Sequence, residues 1–436
     1  MLRNKRGSVT ILILLIFLSL ISAVTVFINV SKKLAVKSTT KELGLVWCEA
    51  ILGEYDLNLQ GRYGIFAFDG IESDINEKID FYAHQSFLGK KYIAYQGANC
   101  SLYNYSLGNL SCFKRQIVKE GKCAVLNKNN GIREIKAAKN AKTISPSKVE
   151  FKDLPSSENE TSMDIKTAIE ILKKLKSLNK VVKSGSDAYF EKKYIEKYFK
   201  NHSSDKKLGR TYFNLEEEYI LNGKTSDDEN RKSTKRKLIL LRSTINLVYL
   251  QTDKEKHAET LAAAEALTPG PWAVATQKAL QAAWAVAEAR NDYMLLVNGK
   301  KVPFYKTKDS WATDLKSLTK DAVKKMKSRN KIEKDKNKES KPQKEENSLS
   351  KSDFNTDLPY IEMDNDKGEV YEDYISAMIF LMREETKLLR IMDLIEINMK
   401  TMYYGGFRVR DYNSGVKAGI KVNGGICVVK KEYTPK

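Results

Sequence analysis

The residues from Val9 to Val30 contain no charged side chain. A helix of about 20 apolar residues is long enough to cross the hydrocarbon core of a bilayer. This segment constrains the chain more than any other, because nearly all remaining residues follow it and must lie on one side of a membrane that it spans. We predict a single membrane helix followed by a large domain outside the bilayer.

The charges around this segment favour one orientation. Arg3, Lys5 and Arg6 precede it, and short basic flanks tend to stay in the cytoplasm. Lys32 and Lys33 lie on its other side and weaken the inference without reversing it. The expected location is the cell membrane, single-pass, with a cytoplasmic N-terminus and the bulk of the chain extracytoplasmic.

Two alternatives to a retained membrane anchor stay open. A secretion signal would be cleaved, but Ile21-Ser22-Ala23 is a poor cleavage site and the apolar run continues past it to Val30. A helix buried in a protein core would also be apolar, although a run of this length is more typical of a membrane span. We expect the anchor to be retained.

Composition bounds the size and the partners of the protein. The chain has 436 residues, enough for two or three compact units, and 75 Lys and Arg against 55 Asp and Glu, a net charge of +20. Outside a membrane this charge favours adhesion to lipid headgroups or anionic wall polymers, although abundant Lys in linkers would explain it without any partner. No platform of basic and aromatic residues is evident, so we expect no nucleic-acid binding.

The cysteines and histidines indicate no metal centre. No C-x-x-C motif is present and the chain has only three His, so we expect no zinc site and no other metal. The number of cysteines is odd, so at least one thiol is free or pairs between chains, and a local disulfide in the stretch from Cys100 to Cys123 is a hypothesis for an oxidising compartment. The pairing stays open for all five: Cys48, Cys100, Cys112, Cys123 and Cys427.

The apolar pattern continues beyond the membrane segment. From Leu34 to Leu59 apolar residues recur at spacings near three and four, which predicts one helix from about Ser8 to about Leu59. The residues 62–66 then indicate the start of a strand. Short apolar runs and turn signals predict further short strands between Phe81 and Ala138.

The middle of the chain is typical of packed helices. Ser226-Asp227-Asp228-Glu229 is a capping box before a helix that runs to about Gln251. Two more helices are predicted at about Lys254–Leu267 and Trp272–Val297, separated by a Pro-Gly-Pro stop. Charged residues such as Glu288 and Asp292 interrupt the last of these, so we do not expect a second membrane span.

The C-terminal part contains one low-complexity segment and then regular structure. The residues 320–352 are rich in Lys, Glu, Asn and Ser and have hardly any aliphatic side chains, which predicts a disordered insertion. A strong helix is predicted from Tyr371 to Tyr404. The alternating tail with its Asn423-Gly424 turn predicts a small terminal sheet.

We therefore predict an α+β, mainly helical fold. A single N-terminal transmembrane helix continues into a long amphipathic helix, and a mixed extracytoplasmic domain has small sheets and several packed helices. The predicted segments are the anchor helix and its continuation (1–62), a strand-containing region (63–141), a linker (142–162), a helical ectodomain core (163–319), the Lys-rich disordered insertion (320–357), and a long helix with a terminal sheet (358–436).

No motif in the chain carries recognisable chemistry. Asp364–Gly368 is out of register with a calcium loop and is interpreted as an acidic turn. Glu216-Glu217-Glu218 is interpreted as a solvated charge run rather than a divalent-cation site, and His257 as a surface residue. Hydrolase, zinc-protease, P-loop and dinucleotide-binding motifs are all missing, so we expect neither an enzyme nor a cofactor. Two functions stay open beside a structural role. One is a surface binding module for anionic wall polymers or another extracellular ligand, which the positive charge favours. The other is an extracytoplasmic enzyme that uses carboxylates paired only in space.

Several segments are similar to a known family. The chain resembles an uncharacterised Gram-positive membrane protein family encoded with tight-adherence (Tad/Flp-type) pilus systems, whose N-termini are similar to TadE/TadG-like minor pseudopilins. The resemblance rests on residues 5–10 with the apolar run, and on Leu52–Phe66, Glu218–Asn230, the Ala-rich helix pair, Val302-Pro303-Phe304, Tyr371–Tyr374 and Met392–Glu396.

The resemblance implies a pseudopilin-like anchor for assembly or display at the envelope, without catalytic activity. Its partners would be the lipid bilayer and pilus assembly proteins, and its candidate processing site is Gly7-Ser8. Type IV prepilins are cleaved after a Gly that is followed, five residues on, by Glu. Here that residue is Leu12, so both processing and membership of a filament stay open.

Overall fold

The computed structural model describes residues 6–126, 143, 145, 148–157, 186–203, 210–318, 320, 360–363 and 368–433. Residues 163–185 of the predicted helical ectodomain core, nearly all of the Lys-rich insertion and Asp364–Lys367 of the acidic turn lie outside these residues. The described helices are α1 (Arg6–Leu52), α2 (Leu57–Tyr63), α3 (Glu72–Phe87), α4 (Leu110–Leu126), α5 (Asp187–Tyr198), α6 (Glu216–Asn222), α7 (Asp227–Thr252), α8 (Lys254–Leu267), α9 (Ala273–Val297), α10 (Tyr371–Phe380) and α11 (Glu384–Met402).

The strands of the described residues are β1 (Phe68–Asp69), β2 (Tyr95–Ser101), β3 (Tyr412–Asn413), β4 (Gly415–Val422) and β5 (Gly425–Glu432). The fold is mainly helical with small sheets, as predicted. The chain forms two compact units. Of the described residues, 6–123 and 403–433 belong to the first unit, and 124–126 together with those between 143 and 402 belong to the second.

The long N-terminal helix of the first unit ends earlier than predicted. It stops at Leu52, and the Asp56 carboxylate caps the separate helix α2 by accepting hydrogen bonds from the backbone N–H groups of Asn58 and Leu59 at 2.8 and 2.9 Å. Gly64 closes α2 in the left-handed region, at φ 66°. The single helix predicted to reach Leu59 is therefore wrong, because a capped second helix competes with its last turn.

A three-stranded antiparallel sheet in the order β2-β4-β5 forms the other part of the first unit. The predicted Asn423-Gly424 turn joins β4 to β5, and both residues have positive φ (46° and 74°), as a two-residue hairpin of type I′ requires. The expectation of several strands after Phe81 is wrong for the described residues up to Leu126. There β2 lies between the helices α3 and α4.

The core of the first unit lies between α1 and this sheet. Trp47, Cys48 and Ile51 of α1 are buried in one cluster with Ile420 and Val429 of the sheet. The helix α3 contributes further apolar side chains to the same cluster. The C-terminal half of α1 is thus held by residues at the far end of the chain.

The second unit contains the three predicted middle helices almost residue for residue. Ser226 Oγ accepts a hydrogen bond from the Glu229 backbone N–H at 3.3 Å and caps α7, while α8 and α9 have the expected bounds to within one residue. The one helix predicted from Tyr371 to Tyr404 is wrong. It is divided into α10 and α11. The backbone N–H groups of Leu381 and Met382 donate hydrogen bonds to carbonyls three residues back instead of four, which tightens the chain at the end of α10.

Candidate functional site

The short helix α6 lies in the interior of the second unit. All seven of its residues are buried, and Glu216, Glu217 and Glu218 are each no more than 1% exposed. The interpretation of these residues as a solvated charge run is therefore wrong. Three carboxylates in the first turn suit the positive end of a helix dipole, but their burial requires hydrogen-bond partners as well.

Glu216 and Glu218 bind segments on either side of α6. Glu216 accepts hydrogen bonds from the Lys200 backbone N–H at 3.0 Å and from the Asn398 side chain at 2.8 Å. Glu218 Oε1 accepts from the His202 backbone N–H at 3.0 Å and from the Tyr371 hydroxyl at 2.9 Å. Burial raises the pKa of Glu218 to about 7, against the opposing effect of these hydrogen bonds.

A second carboxylate, Asp393, is buried beside the same helix. The Tyr219 hydroxyl donates to Asp393 Oδ2 at 2.9 Å, and the backbone N–H of Ser156 donates to Oδ1 at 3.0 Å, with a further bond from the Ser156 hydroxyl. Burial raises the pKa of Asp393 to about 6. Ser156 lies in the segment predicted as a linker, so that segment is tied to the core at this point.

The C-terminal end of α6 is closed by close packing against α11. Gly223 has φ 65°, and a Cβ atom built on it would lie 2.7 Å from Arg390 Nε. Arg390 Nη1 donates to the Ile220 carbonyl at 3.0 Å. A glycine is needed here both for the left-handed backbone and for the space that the guanidinium occupies.

A separate group of charged residues, here called the buried ion cluster, consists of Arg242, Glu288, Asp292 and Lys306. All four side chains are 0% exposed. Arg242 Nη2 lies 2.8 Å from Asp292 Oδ2, and Lys306 Nζ lies 2.7 Å from both Asp292 Oδ1 and Glu288 Oε1. Burial acts to raise the pKa of Asp292. The positive charges of Arg242 and Lys306 have the larger opposite effect, so the pKa of Asp292 is lowered.

The buried ion cluster joins α7 and α9 to the segment that follows α9. Arg242 Nη1 donates to the carbonyls of Pro303 and Phe304 at 3.2 and 2.8 Å. Glu288 accepts hydrogen bonds from the backbone N–H groups of Ala312 and Thr313 at 3.0 and 2.8 Å. Two cations and two anions balance in charge, and their hydrogen bonds hold the segment 303–313 against α7 and α9.

The sequence reasoning missed both networks. The available signal was in α9, where Glu288 and Asp292 are isolated charges within an otherwise apolar helix. Taken along the sequence, these charges argue only against a second membrane span. In a soluble core such charges indicate buried ion partners rather than solvent.

The candidate prepilin-like cleavage site lies in the first turns of α1. Gly7 and Ser8 precede the apolar run, and Leu12 is 58% exposed. His257 is exposed on α8, as predicted. All five cysteines are free thiols, and in the described part of the chain no three His, Cys, Asp or Glu residues are grouped so as to hold a metal ion.

The first half of α1 is the one candidate for a membrane span among the described residues. An 18-residue window within it has a mean hydropathy of 3.1, and none of that window is buried against the rest of the protein. The large apolar side chains between Val9 and Val30 are 46–72% exposed. This exposure argues against burial of the segment in a core of the chain itself.

Comparison with known proteins gives one match. No curated protein and no solved structure matches the chain. The model of a family of unknown function, DUF5702, matches residues 122–424, from the last turn of α4 to the turn between β4 and β5. This match covers the buried ion cluster, α6 and the strand β4, and more than half of the chain, so the protein belongs to the family of unknown function DUF5702.

Proposed function

We propose that the protein is a membrane-anchored envelope protein that acts as a pseudopilin-like structural or assembly component of a Tad-type pilus or secretion system. The observation that carries this proposal is the division of α1 into two parts. Its first part, Val9 to Val30, contacts no core, while its second part, from Val36 on, is packed against a sheet.

A pilin-like subunit needs this division of one helix. The exposed apolar part is suited to a bilayer or to the same helix of neighbouring subunits. The packed part fixes the direction of the helix, because Trp47 and Ile51 are buried in the cluster that contains Ile420. A helix joined to its domain by a flexible hinge could not transmit position in this way.

We assign no catalytic activity to the buried carboxylates. Glu216, Glu218 and Asp393 each accept at least two hydrogen bonds from the protein. Carboxylates that serve as acceptors for backbone N–H groups hold segments in place. Their role here is to stabilise the second unit.

The proposed location is the cell membrane, with the N-terminus in the cytoplasm and both compact units outside. The proposed partners are lipid and pilus assembly proteins. Because Leu12 stands where prepilins have Glu, we propose an anchored component rather than a filament subunit cut at Gly7-Ser8.

The experiment is fractionation of cells that express the full chain, followed by affinity purification from solubilised membranes. We expect the protein in the carbonate-resistant membrane fraction, with intact mass from Met1, and pilus assembly proteins in the purified sample. A soluble form in the medium that begins near Ala23 would contradict the anchor. A membrane-bound chain that purifies without any assembly protein would contradict the Tad-type role but keep the anchor.

A further inference from the structure

The sheet of the first unit has one covered face and one open face. Side chains alternate along each strand, so Val416, Ala418 and Ile420 of β4 point toward α1 while the residues between them point away. The open face carries a groove of about 540 Å³ across β2, β4 and β5. We call it the outer groove.

Glycine forms the floor of the outer groove. Gly419 lies at the centre of β4 and pairs with Asn99 of β2 on one side and Val428 of β5 on the other. Val428 and the neighbouring Ile426 are 54% and 63% exposed, so they form an apolar wall that the protein leaves uncovered. The floor is low because Gly419 has no side chain.

Lysines flank this floor. Lys417 and Lys421 lie two residues before and two residues after Gly419, about 13 Å apart at the rise of a strand. Lys430 of β5 pairs with Lys417 in register and points to the same face. Within the described residues none of these three ammonium groups has an ion-pair partner, and no carboxylate lines the groove.

The opposite face shows that this lack of partners is local. Lys431, one residue after Lys430, points toward α1 and forms an ion pair with Glu49. The cation on the covered face, Lys431, is thus paired, whereas the three on the open face have no ion-pair partner in the part of the chain that the structure describes. A positive patch of this kind, with an uncharged floor between its lysines, is complementary to a ligand in which anionic groups alternate with uncharged segments.

We propose that the outer groove binds an anionic polyol-phosphate polymer, with its phosphate groups at Lys417, Lys421 and Lys430 and its uncharged polyol over Gly419. An acidic peptide suits the site less well, since peptides dock on sheets through strand edges and the backbone groups of β4 are already paired on both sides. A nucleic acid suits it less well because no aromatic side chain lines the groove for base stacking. This site goes beyond the proposed assembly role and does not depend on it.

The test measures binding of poly(glycerol phosphate) to the full chain in lipid nanodiscs by titration calorimetry at several salt concentrations. Three bound phosphates predict that the logarithm of the affinity falls with the logarithm of salt with a slope of about −2. The double variant Lys417→Gln with Lys421→Gln is expected to weaken binding at least about 10-fold. Its salt dependence should be shallower, with a slope between about −1 and zero.

Two further variants separate charge from shape. Lys90→Gln with Lys91→Gln removes the same charge from the same unit outside the groove, and we expect it to bind within about twofold of the wild type. Gly419→Val keeps every charge but fills the floor. A Cβ atom at this position would meet its nearest neighbour at an ordinary 3.6 Å, so the strand tolerates it.

We expect Gly419→Val to keep the wild-type melting temperature and to lose binding. Equal losses in the Lys90/Lys91 control and the Lys417/Lys421 variant would show unspecific attraction and overturn the proposal. Tighter binding of poly-glutamate or of single-stranded DNA than of poly(glycerol phosphate) at equal charge would overturn it as well. Retained membrane anchoring in every variant keeps this result separate from the proposed assembly function.

Discussion

Gly44 of α1 lies so close to Ile420 of β4 that a Cβ atom on Gly44 would come within 2.6 Å of the Ile420 Cδ1 atom. The two methyl groups of Val429 on β5 lie 3.2 Å from the same position. A helix residue without a side chain is therefore what allows α1 to approach the sheet. This contact joins the N-terminal helix to the C-terminal hairpin.

Enlarging this glycine should separate helix and sheet. We expect Gly44→Leu to destabilise the first unit by about 1–3 kcal/mol through overpacking. The matched control is Gly406→Ala, because a Cβ atom there meets nothing within 4 Å. Chemical unfolding in detergent, followed by the fluorescence of Trp47, measures both. Equal stability of the two variants would contradict the close packing of α1.

The buried ion cluster should be sensitive to the loss of one member. Arg242→Ala leaves Asp292 with one cation instead of two and removes the donor to the Pro303 and Phe304 carbonyls. We expect a loss of about 3–5 kcal/mol from the free energy of unfolding of the second unit. Trp284 is fully buried in that unit and reports its unfolding.

The control for this prediction is Arg231→Ala. Arg231 belongs to the same helix, α7, but its side chain is 51% exposed in its ion pair with Asp228. An exposed pair contributes less than about 1 kcal/mol. If Arg231→Ala costs as much as Arg242→Ala, burial is not the reason for the effect.

The stability of the second unit should fall as the pH rises from acid to neutral. Burial raises the pKa of Glu218 from 4.5 to about 7 and that of Asp393 from 3.8 to about 6. Between the ordinary and the raised pKa of each carboxyl group, the unfolded chain has already lost a proton that the folded chain still holds. Rising pH therefore favours the unfolded state. The loss begins near pH 4 and is complete above about pH 7.

Glu218→Gln should remove about half of this pH dependence, because Asp393 contributes a shift of similar size. The amide oxygen can still accept from the Tyr371 hydroxyl and the His202 backbone N–H, but no charge is buried above pH 7. We expect the variant to match the wild type near pH 4 and to exceed it by roughly 3 kcal/mol at pH 8. Urea unfolding at both pH values measures this, with the exposed Glu265→Gln as control. A variant that is less stable at pH 8 would show that Glu218 is buried as a stabilising anion.

The membrane prediction concerns the exposed apolar half of α1. Leu14→Arg together with Leu18→Arg places two charges on one helix face and should cost about 6 kcal/mol of insertion free energy. We expect this variant to leave the carbonate-resistant membrane fraction. Val46→Arg is the control, since Val46 is 57% exposed on the packed half of the same helix. Membrane retention of the double variant would contradict a span at Val9–Val30.

Local signals were sufficient for those elements that need no distant partner. The capping residue Ser226, the Pro-Gly-Pro stop before Trp272 and the Asn423-Gly424 turn each act on the backbone within a few residues. They predicted α7, α8, α9 and the last hairpin to within one or two residues. The break between α10 and α11 was missed, because the turn at Leu381 contains neither glycine nor proline.

The apolar run from Val9 to Val30 was visible without any structure, because a membrane span is defined by length and the absence of charge. Only the tertiary structure decided how the rest of the chain is arranged. The pairing of Asn99 with Gly419 joins positions 320 residues apart, and the burial of Glu216 and Glu218 depends on their partners Asn398 and Tyr371. A sequence pattern reports the chemistry of neighbours along the chain, whereas burial and charge compensation depend on neighbours in space.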